Sequence, residues 1–124
     1  MLPAIHRLKG KKIFEDLFRA GKTFSNEALM MKVAEGEAGQ PTKFGFGASL
    51  KFSKKAVERN LAKRWMRETV RAKIEEIQPG WHVLFFISPK LPKEKLSLDL
   101  IREKTENLLK KAKIYLHTNS KDSL

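Results

Sequence analysis

The stretch FGFGASLKFSKKAVERNLAKRWMRETVRAKIEEIQPGWHVLFFI, Phe44–Ile87, holds three elements of different period. Alternating Phe and Gly from Phe44 to Leu50 predict a strand whose small residues let another backbone or a ligand come close. From Ser53, a candidate cap, AVERNLAKRWMRETVRAKIEEI runs at helical spacing until Pro79 and Gly80 stop it. WHVLFFI, Trp81–Ile87, is a near-continuous apolar run bounded by turn residues, the pattern of a central strand buried on both faces.

The helix in the middle has two unlike sides. With 3.6 residues per turn, Asn60, Lys63, Arg64, Arg67 and Arg71 fall in one arc about 100° wide. Leu61, Ala62, Trp65, Met66 and Val70 occupy much of the rest. Between Lys51 and Lys73 nine cations (Lys51, Lys54, Lys55, Arg59, Lys63, Arg64, Arg67, Arg71, Lys73) face two anions, Glu58 and Glu68, leaving seven of the chain's +12 net charge there. Arg59 and Lys73 lie outside the arc and are free for other duties. Guanidinium groups one turn apart match successive phosphates of a nucleic-acid backbone with charge-assisted, often bidentate bonds. Such contacts hold position without reading sequence.

Outward from this unit, KKIFEDLFRA, Lys11–Ala20, places Ile13, Phe14, Leu17 and Phe18 at helical spacing, and Gly21 follows where a left-handed terminating residue is preferred. Phe14 and Phe18 share one side, toward either the core or RNA. Within Lys22–Ala34, ALMMKVA reads as a strand. EGEAGQPT, Glu35–Thr42, reads as a hairpin loop joining two strands. SPKLPKEK breaks regular structure, and Ser97 opens a last helix with Leu98, Ile101, Leu108 and Ala112 on roughly one side. One domain over residues 1–116 and a polar tail at 117–124 are expected.

The 124 residues include no Cys, which excludes disulfides and thiolate metal sites, and His6, His82 and His117 have no paired ligand spacing. No apolar run is long enough to span a bilayer, and MLPAIHRLKGKK lacks the apolar middle of a secretion signal, so a soluble cytoplasmic protein is expected. A +12 excess repels itself unless a polyanion relieves it, which points first to nucleic acid and second to an acidic membrane surface. Glu58, Glu68, Glu75 and Glu76 argue against the membrane. There is no glycine-rich phosphate loop followed by Lys and Ser or Thr, and no Ser, His and Asp constellation that periodicity would assemble. Glu15 and Asp16 are adjacent and point apart on a helix, so nuclease chemistry carried by the protein itself is disfavoured.

KKAVERNLAKRWMRE, Lys54–Glu68, resembles the signature helix of the bacterial ribonuclease P protein component, with Arg59, Asn60, Lys63, Arg64 and Arg67 at the family's spacing. HRLKGKKIFEDLFRAGK resembles the family's opening helix, and the order of segments agrees from Arg7 to Tyr115. Leu61 departs from it, standing third where the family usually has Arg, Asn, Arg in a row, and LKFSKK replaces the more usual SKK followed by a Gly-containing turn.

The resemblance implies an α/β (α+β) two-layer sandwich, a mixed four-stranded sheet packed with three helices in the order αβββαβα, with a left-handed strand, helix, strand crossover. It implies that Lys51, Lys54, Lys55, Arg59, Asn60, Lys63, Arg64, Arg67 and Arg71 bind the catalytic RNA, and that Phe14 and Phe18 line a cleft for the 5′ leader of precursor tRNA. It further implies Mg²⁺ acting on the RNA, no cofactor intrinsic to the protein, no catalytic residue in it and no obligate protein partner. A small ribosomal protein is the alternative that shares size, charge and a basic helix.

Overall fold

In the structure, a computed structural model describing residues 3–112, the helices are α1 (Lys11–Ala20), α2 (Ala56–Lys73) and α3 (Leu98–Lys111). The strands are β1 (Lys22–Ser25), β2 (Leu29–Glu35), β3 (Lys43–Gly47) and β4 (Trp81–Ile87), so the order is αβββαβα. The polar tail at 117–124 lies outside the described residues.

The sheet runs β1-β2-β4-β3, with β4 antiparallel to β2 and parallel to β3. The apolar run of β4 explains its central place. Val83, Phe85 and Ile87 face one side of the sheet and Leu84 and Phe86 the other, so the strand is stable only with neighbours on both edges and cover on both faces. This arrangement overturns the hairpin expected between β2 and β3, because β4 inserts between them. The connecting loop is tied to the start of β4 instead: Gly36 N–H donates to the Gly80 carbonyl at 2.8 Å, and Gly80 N–H to that of Gln40 at 2.7 Å.

On one face α2 and α3 pack against the sheet, burying Ala62, Met66, Val70, Ile101, Leu108 and Leu109 with Leu29, Met31, Val83 and Phe85. These are the two layers of the sandwich. On the other face α1 adds a partial cover, with Leu17 buried beside Leu8 and Leu84.

Three local expectations are corrected. Gly21 has φ of −69° and is not left-handed; a Cβ there would stand 2.5 Å from the Leu17 carbonyl oxygen, so close approach requires the glycine. Ser53 is not the cap of α2, whose N-cap is Lys55; the Ser53 hydroxyl accepts the Lys55 N–H at 3.1 Å and donates to the Glu58 carboxylate. The helix also ends at Lys73, and Ile74–Glu76 form a 3₁₀ turn.

Ser97 does cap α3, its Oγ accepting the Leu100 N–H at 3.1 Å. Ser97→Ala is expected to cost about 1 kcal/mol in urea unfolding, without changing the slope of the transition.

Candidate nucleic-acid interface

Helix α2 presents the arc as read from its period. Ala62, Met66, Thr69 and Val70 are buried, Asn60, Arg64 and Arg71 are exposed, and Lys63 and Arg67 are half-buried. The five polar side chains therefore project from one ridge. Arg64 also pairs with Glu68 at 3.6 Å, an exposed contact of little energetic weight.

Arg59 and Lys73, outside the arc, are engaged within the protein. Arg59 Nη1 donates to the Ser53 carbonyl at 2.9 Å, holding the segment that leads into α2. Lys73 pairs with Glu106 of α3 at 3.8 Å. Lys51, Lys54 and Lys55 are exposed on that leading segment.

Arg67 belongs to two surfaces. Its guanidinium carbon lies 5.8 Å from the centre of the Phe46 ring, and Phe46 stacks on buried Phe85 with centroids 6.1 Å apart. Together with Arg7, Leu8, Phe14, Phe44, Gly45 and Phe46, Arg67 lines an open cleft of about 390 Å³ beside β3. The cleft offers cations at its rim and ring carbons on its walls, which suits a single strand whose phosphates meet charge and whose bases meet aromatic faces.

The two α1 phenylalanines separate. Phe14 lines the cleft, its ring resting on Gly45: a Cβ at that position would stand 2.7 Å from Phe14 Cε1. The close approach expected of the Phe–Gly strand is thus made by a ring. Phe18 lies outside the cleft lining, 52% exposed, with its ring 5.6 Å from that of Phe86. Gly45→Ala is expected to push the Phe14 ring out of its seat at a cost of about 1 kcal/mol, the low end for overpacking, because a side chain can swing away. Altered ring chemical shifts of Phe14 alongside a small fall in urea midpoint check it.

Sequence reasoning missed Arg7 and Phe46. Arg7 reaches the cleft because the chain before α1 bridges to Phe44, with Leu8 N–H donating to its carbonyl at 2.9 Å. No local period marks that pairing.

Glu58 holds the base of the interface. The hydrogen bond from Ser53, helped by Lys93 and Lys55, keeps its carboxyl below the ordinary value of 4.5. A depressed acid stabilises the fold above its unfolded pKa and loses that contribution as pH falls through the lower folded value. Acidification below about pH 4.5 is expected to loosen the Ser53 turn, seen as faster exchange of the Lys55 amide relative to the α2 interior. In Glu58→Gln that acid-dependent step should be absent.

A basic helical ridge joined to an aromatic cleft on an α+β sandwich defines an RNA-binding protein. Comparison with known proteins makes this specific: residues 2–113 match the Ribonuclease P family, and the chain belongs to that family of ribonuclease P protein components. The ribonuclease P protein component of Picosynechococcus sp. is 43% identical over 86 residues, 69% of this chain and 73% of that one. That of Symbiobacterium thermophilum is 32% identical over 111 residues, covering 86% and 90%. The RNase P protein from Thermotoga maritima, 31% identical, superposes with a TM-score of 0.75 over 84% of this chain and 97% of that one. The Staphylococcus aureus RNase P protein, at 22% identity and a TM-score of 0.79 over 89% and 97%, shares the fold. Membership makes the chain an accessory subunit with an RNA partner. Among the described residues no helix is long and apolar enough to cross a membrane.

Proposed function

We propose that this subunit docks the α2 ridge on the catalytic RNA of ribonuclease P and receives the 5′ leader of precursor tRNA in the adjacent cleft, working as a cytoplasmic ribonucleoprotein. The RNA then hydrolyses the phosphodiester bond that joins leader to tRNA, and no residue of the protein is catalytic. The observation that carries this reading is the shared position of Arg67, which belongs to the ridge through α2 and to the cleft through Phe46.

Selectivity follows from differential affinity. Contacts to the leader exist with the precursor and vanish with the product, so the protein tightens the first and not the second. Aromatic faces accept any base, and the cations hold phosphates, so many leaders fit one cleft. Divalent ions do not fit the cleft itself, whose lining carries guanidinium groups and rings and no carboxylate. In this reading Mg²⁺ is held by the RNA, and the protein's cations ease phosphate crowding around it.

The test is reconstituted cleavage of precursor tRNA by the cognate RNA with and without this protein. The protein should tighten precursor binding and lower the Mg²⁺ needed for half-maximal cleavage. Unchanged precursor affinity and Mg²⁺ requirement would remove the proposal, and cleavage by the RNA-free protein would replace it with a protein nuclease.

A further inference from the structure

Among the described residues, Arg7 is one of two cations lining the cleft, and unlike Arg67 it lies outside the helices and the strands. Its backbone is extended and meets β3 through an isolated bridge to Phe44. A guanidinium on such a segment is aimed at a ligand only as well as the segment is held. We propose that His6 is a positioning residue for leader binding, its imidazole fixing the backbone that carries Arg7 into the cleft. The inference rests on the proposed function above, in which the cleft receives the leader.

Geometry makes the first argument. His6 Nδ1 lies 2.8 Å from the Thr42 carbonyl oxygen, a contact between residues 36 apart in sequence. A carbonyl oxygen only accepts, so Nδ1 carries the hydrogen and donates. On the other side of Arg7, Leu8 N–H donates to the Phe44 carbonyl at 2.9 Å, and the Leu8 side chain is buried beside Leu17 and Leu84. Arg7 is thus held before and after, by one side-chain bond and one backbone bond.

The anchor makes the second. Thr42 is 2% exposed; its hydroxyl donates to the Gln78 carbonyl and accepts the Trp81 N–H at 3.2 Å, which ties the entry of β3 to the entry of β4. The carbonyl that His6 grips therefore belongs to fixed backbone. His6 itself rests in a recess with Pro41, Ile77 and Pro79, and it does not line the cleft, so it reaches the leader through Arg7 and not by touching it. Energetics make the third. A segment and side chain that must be ordered at the moment of binding subtract from affinity, whereas a segment held beforehand does not. Because leader contacts exist with the precursor alone, the benefit of the His6 tether falls on the precursor alone.

The test uses the full-length protein reconstituted with the catalytic RNA. Precursor and product affinities are measured across a salt series for wild type, His6→Ala, His6→Asn, Arg7→Ala, and His6→Ala combined with Arg7→Ala. His6→Ala should lower the precursor preference about threefold, as one tethered group becomes mobile, with an unchanged circular dichroism spectrum. His6→Asn, which keeps an N–H donor near the place of Nδ1, should restore it. No phosphate contact is removed with His6, so the log–log salt slope of precursor binding should stay at the wild-type value, whereas Arg7→Ala should flatten it by about 0.7–0.9. In the Arg7→Ala background the His6 substitution should lower the preference no further. Wild-type preference in His6→Ala with Arg7→Ala impaired, or an equal loss from His6→Ala whether or not Arg7 is present, would overturn the positioning role alone. An unimpaired Arg7→Ala variant would overturn it too, since nothing would be left to position. A wild type that does not prefer precursor over product would remove the functional reading as well.

Discussion

Phe85→Ala is expected to remove about 3–5 kcal/mol of stability, the largest loss anticipated for a single side chain here. Phe85 is fully buried at the centre of β4, and its ring stacks on Phe44 (6.5 Å) and on Phe46 (6.1 Å) of the neighbouring strand. Truncation removes apolar contacts and leaves a hole between a strand paired on both edges and the helices α2 and α3, where the backbone has little freedom to collapse. Against a typical total of about 5–15 kcal/mol for a domain, such a loss leaves a large unfolded fraction at physiological temperature. Equilibrium urea unfolding measures it directly. A loss under about 1 kcal/mol would mean that the core closes over the gap. The consequence reaches the interface, because Phe46, the ring beneath Arg67, rests on Phe85. Phe85→Leu separates the two effects: it retains much of the apolar volume and removes the flat stack, so RNA binding should suffer more than stability.

The parts of the molecule legible in its sequence are those governed by local period. The buried and exposed sides of α2 follow from 3.6-residue spacing, and the five ridge residues needed no tertiary information. The limits of α1 and the start of α3 were equally plain, because KKIFEDLFRA and the segment from Ser97 carry their own periods. Strand order was not legible. A Gly- and Pro-containing loop between two strands looks like a hairpin, and only the apolar demand of β4 on both faces, a property of a segment far along the chain, displaces β3 to the edge. The cleft was half legible for the same reason. The Phe–Gly alternation announced a close approach, but that Phe14 supplies the ring, that Phe18 turns to Phe86, and that Arg7 joins the wall depend on long-range packing. Arg59 illustrates a different limit: at the family's spacing it reads as an RNA contact, and its hydrogen bond to the Ser53 carbonyl gives it a structural task that charge alone does not reveal.

Arg64→Ala and Arg67→Ala are expected to have different consequences although the residues are one turn apart. Arg64 is exposed on the ridge, its side chain 63% accessible beside Glu68. Its removal should flatten the salt slope of RNA binding by about 0.7–0.9, one phosphate contact, and leave the preference for precursor over product intact. Arg67 is half-buried between ridge and cleft, with its guanidinium over Phe46. Its loss should flatten the slope by the same amount and also lower the precursor preference about tenfold, since a stacked base contributes about 1–3 kcal/mol. Arg67→Lys isolates the geometry: the charge persists and the planar group that stacks is gone, so the slope should recover while the preference stays reduced. Equal behaviour of the Arg64 and Arg67 variants in paired precursor and product titrations would mean that the cleft does not hold the leader, because Arg67 lines the cleft and Arg64 does not.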